Sequence, residues 1–280
     1  MKTINSLSGG KTSSYLAAHY PADYDIFSLV RIEDNNCKFL DEKIRQQVED
    51  RIQAPFIGTA EDDMIIYTML DLEQYIGREI TWVSGPSFDQ IIKNKKGYLP
   101  NKVARYCTTE MKTKPISEWR YKNIKGDVEM RFGYRANETN RAKRMIENLN
   151  QNGMIEVKII VGKTKNGNQN KWKTIEYCNP SFPLIESNIY KDKIEKYWDG
   201  KEVRFAYMNN CVGCWWRSPL LLSHMNTKHP KKIEWFAKTE EKNKGTFRND
   251  VNYRDIMKWQ KQIKLFDDDF NECDSGYCGI

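Results

Sequence analysis

Short, continuous apolar runs alternate with longer amphipathic stretches over the first half of the chain. Lys2 to Leu7 reads as a strand that enters the turn Ser8-Gly9-Gly10, with a helix behind it from Ser13 to His19. Asp25 to Ile32 is a second apolar run, rich in residues suited to a buried parallel strand. A helix over Lys38 to Ile52, a short strand over Ala54 to Gly58 and a helix over Glu61 to Ile76 follow. Glu79 to Val83 reads as strand, Ser87 to Lys93 as helix, Val128 to Tyr134 as strand and Glu138 to Leu149 as helix. Strands and helices alternating at this spacing predict βαβ units, so the expected class is α/β, a mostly parallel sheet with helices on both faces.

The rhythm changes at residue 155. Glu156 to Thr164 and Lys171 to Tyr177 are strand-like and flank Lys165-Asn166-Gly167-Asn168-Gln169-Asn170, and Asn-Gly between two strands signals a hairpin. We read it as a hairpin insertion with a polar tip in preference to a dedicated nucleic-acid arm. Beyond Pro183 the pattern is helical, over Tyr190 to Trp198, Trp216 to Lys228, Lys231 to Asn243 and Tyr253 to Phe266. The expected organisation is an α/β region over residues 1–185 and a helical appendage over 186–280.

Composition narrows the class. The chain has 280 residues, with 8 Trp, 15 Tyr and 11 Phe, which excludes wholesale disorder. No run approaches the roughly 18 apolar residues of a membrane span. The opening MKTINSLSGG has no apolar leader, so a cytoplasmic protein without a membrane partner is expected. The net charge of +7 suits anionic partners without choosing among them. Seven cysteines, an odd number, argue against a disulfide framework and for metal binding, redox chemistry or buried thiols.

The turn Ser8-Gly9-Gly10-Lys11-Thr12-Ser13 carries the first chemistry. Its glycines let the backbone approach a ligand, its successive N–H groups and the helix start can cradle an anion, and Ser8, Thr12, Ser13 and Lys11 add donors. It has neither the spacing of a Walker loop nor a G-x-G-x-x-G fingerprint. It resembles the pyrophosphate-binding loop of the PP-loop superfamily, which contains the N-type ATP pyrophosphatases and the phosphoadenosine phosphosulfate (PAPS) reductases.

Further stretches carry the same resemblance in order. Arg105-Tyr106-Cys107-Thr108-Thr109-Glu110-Met111-Lys112 with Pro115 is similar to the arginine, cysteine, lysine and proline segment of PAPS reductase-like proteins. Gly133-Tyr134-Arg135-Ala136-Asn137-Glu138-Thr139-Asn140-Arg141 is similar to their arginine–glutamate–arginine stretch, and Pro183-Leu184-Ile185 to their Pro-Leu segment. The resemblance implies an adenine nucleotide alpha hydrolase-like fold and an adenine nucleotide on Ser8, Gly9, Gly10, Lys11, Thr12, Ser13 and Asp34. It implies an acceptor or phosphate held by Arg105, Lys112, Arg135, Glu138 and Arg141, with Lys11 and Arg135 as catalytic cations. Two departures stand out: Thr12 where the pyrophosphatase loop carries Asp, and Glu33-Asp34-Asn35-Asn36 where reductase relatives carry an Asp-Thr-Gly-like segment.

The cysteines divide by spacing. Cys211-Val212-Gly213-Cys214 has the gap that lets two thiolates share a metal, and Cys273 with Cys278 makes a second close pair. Together they could form a four-thiolate site for zinc or an iron–sulfur cluster. Cys278-Gly279-Ile280 also resembles the tail of sulfonucleotide reductases, without its histidine; there Cys278 would be a nucleophile and Cys107 would join Cys211, Cys214 and Cys273. Cys37 and Cys178 read as half-buried thiols. The leading expectation is cleavage of ATP, with Mg2+, to AMP and pyrophosphate, adenylating an acceptor such as tRNA, DNA or a small metabolite, with sulfur transfer as one outcome. PAPS reduction through Cys278 is the alternative, and a non-catalytic nucleotide- or nucleic-acid-binding subunit of a modification complex is a third.

Overall fold

A computed structural model of the chain describes residues 1–164 and 169–259. The chain opens with β1 (Lys2–Leu7), α1 (Lys11–His19), β2 (Tyr24–Ser28), β3 (Arg31–Ile32), α2 (Glu42–Ile52), β4 (Gly58–Thr59), α3 (Met64–Ile76), β5 (Ile80–Val83) and α4 (Phe88–Asn94). It continues through α5 (Tyr106–Thr108), a π-helical turn (Thr109–Thr113), α6 (Lys114–Asn123), β6 (Val128–Phe132), α7 (Thr139–Glu147), β7 (Ile155–Lys163) and β8 (Asn170–Ser181). Five helices complete the described residues: α8 (Pro183–Glu186), α9 (Lys191–Trp198), α10 (Pro219–Lys228), α11 (Pro230–Asn243) and α12 (Tyr253–Lys258), the first of them a single turn.

Six strands form the main sheet in the order β5-β2-β1-β6-β8-β7. All neighbours are parallel except β7, which runs antiparallel to β8 at the edge. Both faces of the central strands are apolar because both are covered. Ile4 and Ile26 pack with Met130, Ile116 and Tyr177 on the α6 side, while Leu7 and Phe27 pack with Leu16, Met69 and Trp198 on the other. That double coverage makes the strands read as continuous apolar runs. The α/β class is as expected, and β1 spans the residues predicted for it.

Several boundaries moved for identifiable reasons. The Asp25 to Ile32 run is two strands: β2 ends at Ser28, and β3 pairs antiparallel with β4. The helix expected from Lys38 begins only at Glu42, because Asp41 Oδ1 accepts hydrogen bonds from Lys43 N and Ile44 N and caps it there. The helical stretch from Tyr106 to Asn123 was not predicted. Pro115 hides it from a reading of propensity, yet stands in the first turn of α6, where a missing N–H is tolerated.

The expected hairpin forms, but it is not a free insertion. β8 runs past Tyr177 to Ser181, and its last residues pair parallel with β6, Met130 opposite Pro180. The helical region likewise shares its cores with the α/β part. Leu184, Ile194 and Trp198 belong to the cluster under α1 and α3, and Phe236, Phe247 and Tyr253 pack with Phe88 and Met111. Polar contacts join the same halves: His229 Nε2 lies 3.2 Å from Asp62 Oδ2, and Lys232 pairs with Asp63 at 2.7 Å. No described helix is long and apolar enough to cross a membrane.

Candidate functional site

The strand order locates the site before any side chain is considered. From β1 the chain builds outward through β2 to β5, then returns to lay β6 on the other side of β1. Open α/β sheets bind ligands at such a reversal, outside the carboxyl ends of the two strands. The Ser8–Ser13 loop follows β1, and the Gly133–Arg141 stretch follows β6. They touch: a Cβ on Gly133 would stand 3.3 Å from Ser13 Cα.

The loop is braced from within. Ser13 Oγ accepts from Ser8 N at 3.1 Å and donates to Gly10 O at 3.1 Å, and the Ser8 and Ser13 hydroxyls lie 3.1 Å apart. Gly10 caps α1 with extended backbone and no side-chain acceptor for the helix's first N–H groups. Those donors carry the positive end of the helix dipole. Gly9 has φ +80°, a left-handed conformation, and a Cβ there would meet Ile65 Cγ2 at 2.4 Å. At Gly10 a Cβ would meet the Asn209 side-chain amide at 2.2 Å. The glycines therefore also serve packing, Gly9 beneath α3 and Gly10 beneath the 205–217 segment.

Beside the loop stands a basic cluster built around one carboxylate. Glu138 Oε2 accepts from Arg135 N at 2.8 Å and Arg135 Nε at 3.1 Å, while Glu138 Oε1 accepts from Arg141 Nη1 at 3.2 Å. The Arg141 guanidinium lies 4.0 Å from the centre of the Tyr134 ring. Burial pushes the Tyr134 phenol up, against the opposing pull of Arg141 and Arg105. Among the described residues, three buried polar atoms here have no hydrogen-bond partner: Arg105 Nη2, Arg141 Nε and the Tyr134 hydroxyl. Three donors left open around a surplus of guanidinium charge suit a tetrahedral or planar oxyanion. The Glu138–Arg141 pair is also the ordinary contact of residues three apart on a helix start.

Other predicted residues are engaged elsewhere. Lys11 ion-pairs with Glu195, and its carbonyl accepts from Trp198 Nε1 at 2.9 Å, so its ammonium is held toward α9. Lys112 Nζ is 2.8 Å from Oε1 of Glu61, a carboxylate with no exposed surface. Asp34 accepts from Asn36 N at 2.8 Å and caps its own short turn. Thr12 is half-buried in the first turn of α1.

A second feature adjoins the arginines. Arg105, Cys107, Lys112, Cys211, Cys214 and Trp216 help to line a small apolar cavity of about 30 Å³. Arg105 lies over the Trp216 ring at 5.6 Å and so bounds both the cavity and the basic cluster. The Cys211–Cys214 turn is fixed by buried donors: Arg248 Nη1 donates to Trp215 O at 2.5 Å, and Tyr253 Oη donates to Gly213 O at 2.6 Å. Gly213 is required because a Cβ would stand 2.3 Å from the Phe236 ring. Of the four predicted thiolates, Cys211 and Cys214 share this cavity with Cys107, whereas Cys273 and Cys278 lie outside the described residues. Soft thiols in an apolar setting fit zinc or an iron–sulfur cluster in donor chemistry. Among the described residues, no three His, Cys, Asp or Glu side chains form a metal-holding group on their own.

Cys37 and Cys178 are not half-buried but buried, 4 % and 0 % exposed. Burial pushes the Cys37 thiol up to about 11, and the Cys178 thiol is raised further for the same reason. At pH 8, Cys37 should carry about 100-fold less thiolate than a thiol at the ordinary 9.0, so both cysteines should resist iodoacetamide in the folded protein. Mass-spectrometric mapping of the alkylated sites checks this, and rapid labelling of either would refute it. The folded chain holds the Cys37 proton more tightly than the unfolded chain. Its contribution to stability is therefore full below pH 9.0 and is lost as pH rises towards about 11.

The residues that sequence reasoning missed are those placed by long-range packing. Asn209 over Gly10 and Glu61 under Lys112 have no local signature. Tyr134 was inside a quoted motif, but nothing in the motif marked its hydroxyl as an open donor. Comparison of the chain with family models, curated proteins and solved structures returns no match.

Proposed function

We propose that this protein binds an adenine nucleotide at the meeting of the Ser8–Ser13 loop and the Arg135–Arg141 cluster, and cleaves ATP to AMP and pyrophosphate to adenylate an acceptor. One observation carries the reading. An uncapped helix start behind Gly9-Gly10 adjoins, through Gly133, the cluster in which Arg105 and Arg141 each have a buried donor with no partner among the described residues, at the reversal of strand order. The N–H groups of the loop hold the β- and γ-phosphates, and Arg141 with Arg105 meets the phosphate nearest the acceptor. An acceptor oxygen or nitrogen attacks the α-phosphorus, the bond to the bridging oxygen breaks, and pyrophosphate leaves with the electron pair. Donors already oriented at the leaving oxygens stabilise that charge without reorganising. Arg135, pinned by Glu138, orients the cluster. Mg2+ accompanies the phosphates of such nucleotides and would neutralise part of their charge.

A second reading, PAPS reduction, draws on a different observation: the three thiols Cys107, Cys211 and Cys214 around one cavity beside Arg105. Together with Cys273, those residues would hold zinc or an iron–sulfur cluster, which supplies rigidity and, for the cluster, local positive charge near the nucleotide. Cys278 would then be the nucleophile toward the sulfonyl group. Anaerobic calorimetry of the full chain with ATP and with PAPS separates the readings. Tighter ATP binding is expected, weakened about 100-fold in Arg105→Met/Arg141→Met, as befits two lost charge-assisted contacts. Tighter PAPS binding would invert the order of the two readings, and Cys278→Ser would then be the deciding variant. Binding of neither nucleotide would defeat both.

A further inference from the structure

The outer half of the β7–β8 hairpin takes no part in the site above, yet its surface is unusual. No acidic residue stands between Glu156 and Glu176, while Lys158, Lys163, Lys171 and Lys173 all fall in that interval. All four are exposed. Among them Trp172 is 44 % exposed, with the ammonium groups of Lys114 and Lys158 at 4.9 Å and 5.8 Å from its ring centre. On the adjoining face of α6, Tyr121 is 39 % exposed, and Lys173 Nζ lies 5.1 Å from its ring and 3.2 Å from its hydroxyl. The cross-strand register sets Ile160 opposite Trp172 and Lys158 opposite Thr174, so Lys158 shares the face of Trp172, while Lys171 and Lys173 flank that ring along the edge of the ribbon from its other face.

Lysines on an edge strand keep it from pairing with another chain, and that accounts for Lys158 and Lys163 on β7. The same reason extends to Lys171 and Lys173, because among the described residues β8 pairs with β6 only over Asn179 to Ser181 and its outer part is an edge as well. It does not call for an exposed tryptophan, since the large apolar area of Trp is ordinarily withdrawn from water. Cations set beside exposed rings suit a chain that presents phosphates and unstacked bases alternately. A duplex hides its base faces, and an acidic peptide has none. We infer that this hairpin and the adjoining face of α6 bind single-stranded nucleic acid, with a base on Trp172 and phosphates on Lys158, Lys171 and Lys173. The inference does not depend on the nucleotide reading.

Fluorescence anisotropy of the full-length protein with a labelled 15-mer of deoxythymidine, and with a mixed-sequence duplex of equal length, tests it at 50 and 200 mM salt. The single strand should bind more tightly than the duplex. Trp172→Ala should weaken single-strand binding about tenfold, within the range for loss of one stacked base, while Trp172→Phe should retain most of it. Lys171→Ala/Lys173→Ala should flatten the dependence of log affinity on log salt by about 1.4. Duplex binding as tight as single-strand binding, or Trp172→Ala binding unchanged, would overturn the inference in favour of a generic polyanion surface. Calorimetry of the same variants with ATP keeps the two proposals apart, since Trp172→Ala should leave nucleotide binding as it is in the parent.

Discussion

Lys112→Met should lower folding stability by about 3–5 kcal/mol, the usual cost of leaving a buried charge without its partner. The partner is Glu61, which has no exposed surface, and among the described residues its Oε2 has no hydrogen-bond partner, so Lys112 at 2.8 Å supplies the neutralising charge. Glu61 also sits where the chain halves are joined. It bridges Cys211 in antiparallel fashion, and its carbonyl accepts from Lys232. A loss there should therefore loosen the Cys211–Cys214 turn as well as α3. Urea denaturation of Lys112→Met, Glu61→Gln and the double variant measures the coupling. The double variant should recover most of the lost stability, because it removes both charges together. Losses of under 1 kcal/mol in Lys112→Met, with no recovery in the double variant, would show that Glu61 is adequately solvated and return Lys112 to the list of ligand-facing cations.

The second large effect is expected at Gly9→Ala, at about 2–5 kcal/mol. Two costs combine: an L-residue held at φ +80°, worth about 1–2 kcal/mol, and overpacking against Ile65, worth about 1–3 kcal/mol. Ile65 belongs to α3 and lies in the core with Leu7 and Leu16, so it has little room to retreat. In an Ile65→Ala background the added methyl gains space, and Gly9→Ala should cost about 1–2 kcal/mol less there. Thermal or urea unfolding of the four proteins gives the coupling directly. Equal costs in both backgrounds would mean that the backbone conformation alone demands glycine. The result bears on the nucleotide reading, because a glycine required for packing is weaker support for a phosphate cradle than one whose surroundings are open. The same substitution at Gly10 meets the amide end of a side chain, Asn209, which can rotate aside at smaller cost.

Local chemistry made much of this fold legible. Lys2 to Leu7 and the turn after it announce a buried strand feeding a helix. Ser87 ahead of Gln90 announces the start of α4, where each side chain bonds the other's backbone. The Asn-Gly pair announces the hairpin. What escaped was structure whose cause lies far along the chain. The turn from Thr109 to Thr113 and the helix after it carry two threonines and a proline, poor helix signals, and hold because Met111 and Ile116 are buried against other elements. The end of β8 contains Asn179 and Pro180, poor strand formers, and is a strand because β6 stands beside it.

The candidate site divides along the same line. Sequence by itself determined the α/β class, the glycine turn, the arginine–glutamate–arginine spacing and the Cys211–Cys214 pair, because each is written in the order of neighbouring residues. Only the tertiary structure decided which of those cations face one another. It brought Arg105 to Arg141 and Tyr134, gathered Cys107 with Cys211 and Cys214, and drew Lys11 to Glu195 and Lys112 to Glu61. The physical reason is that a charged side chain takes whichever partner the buried scaffold sets within reach, and that partner, 184 residues away for Lys11, is chosen by strand order and helix packing.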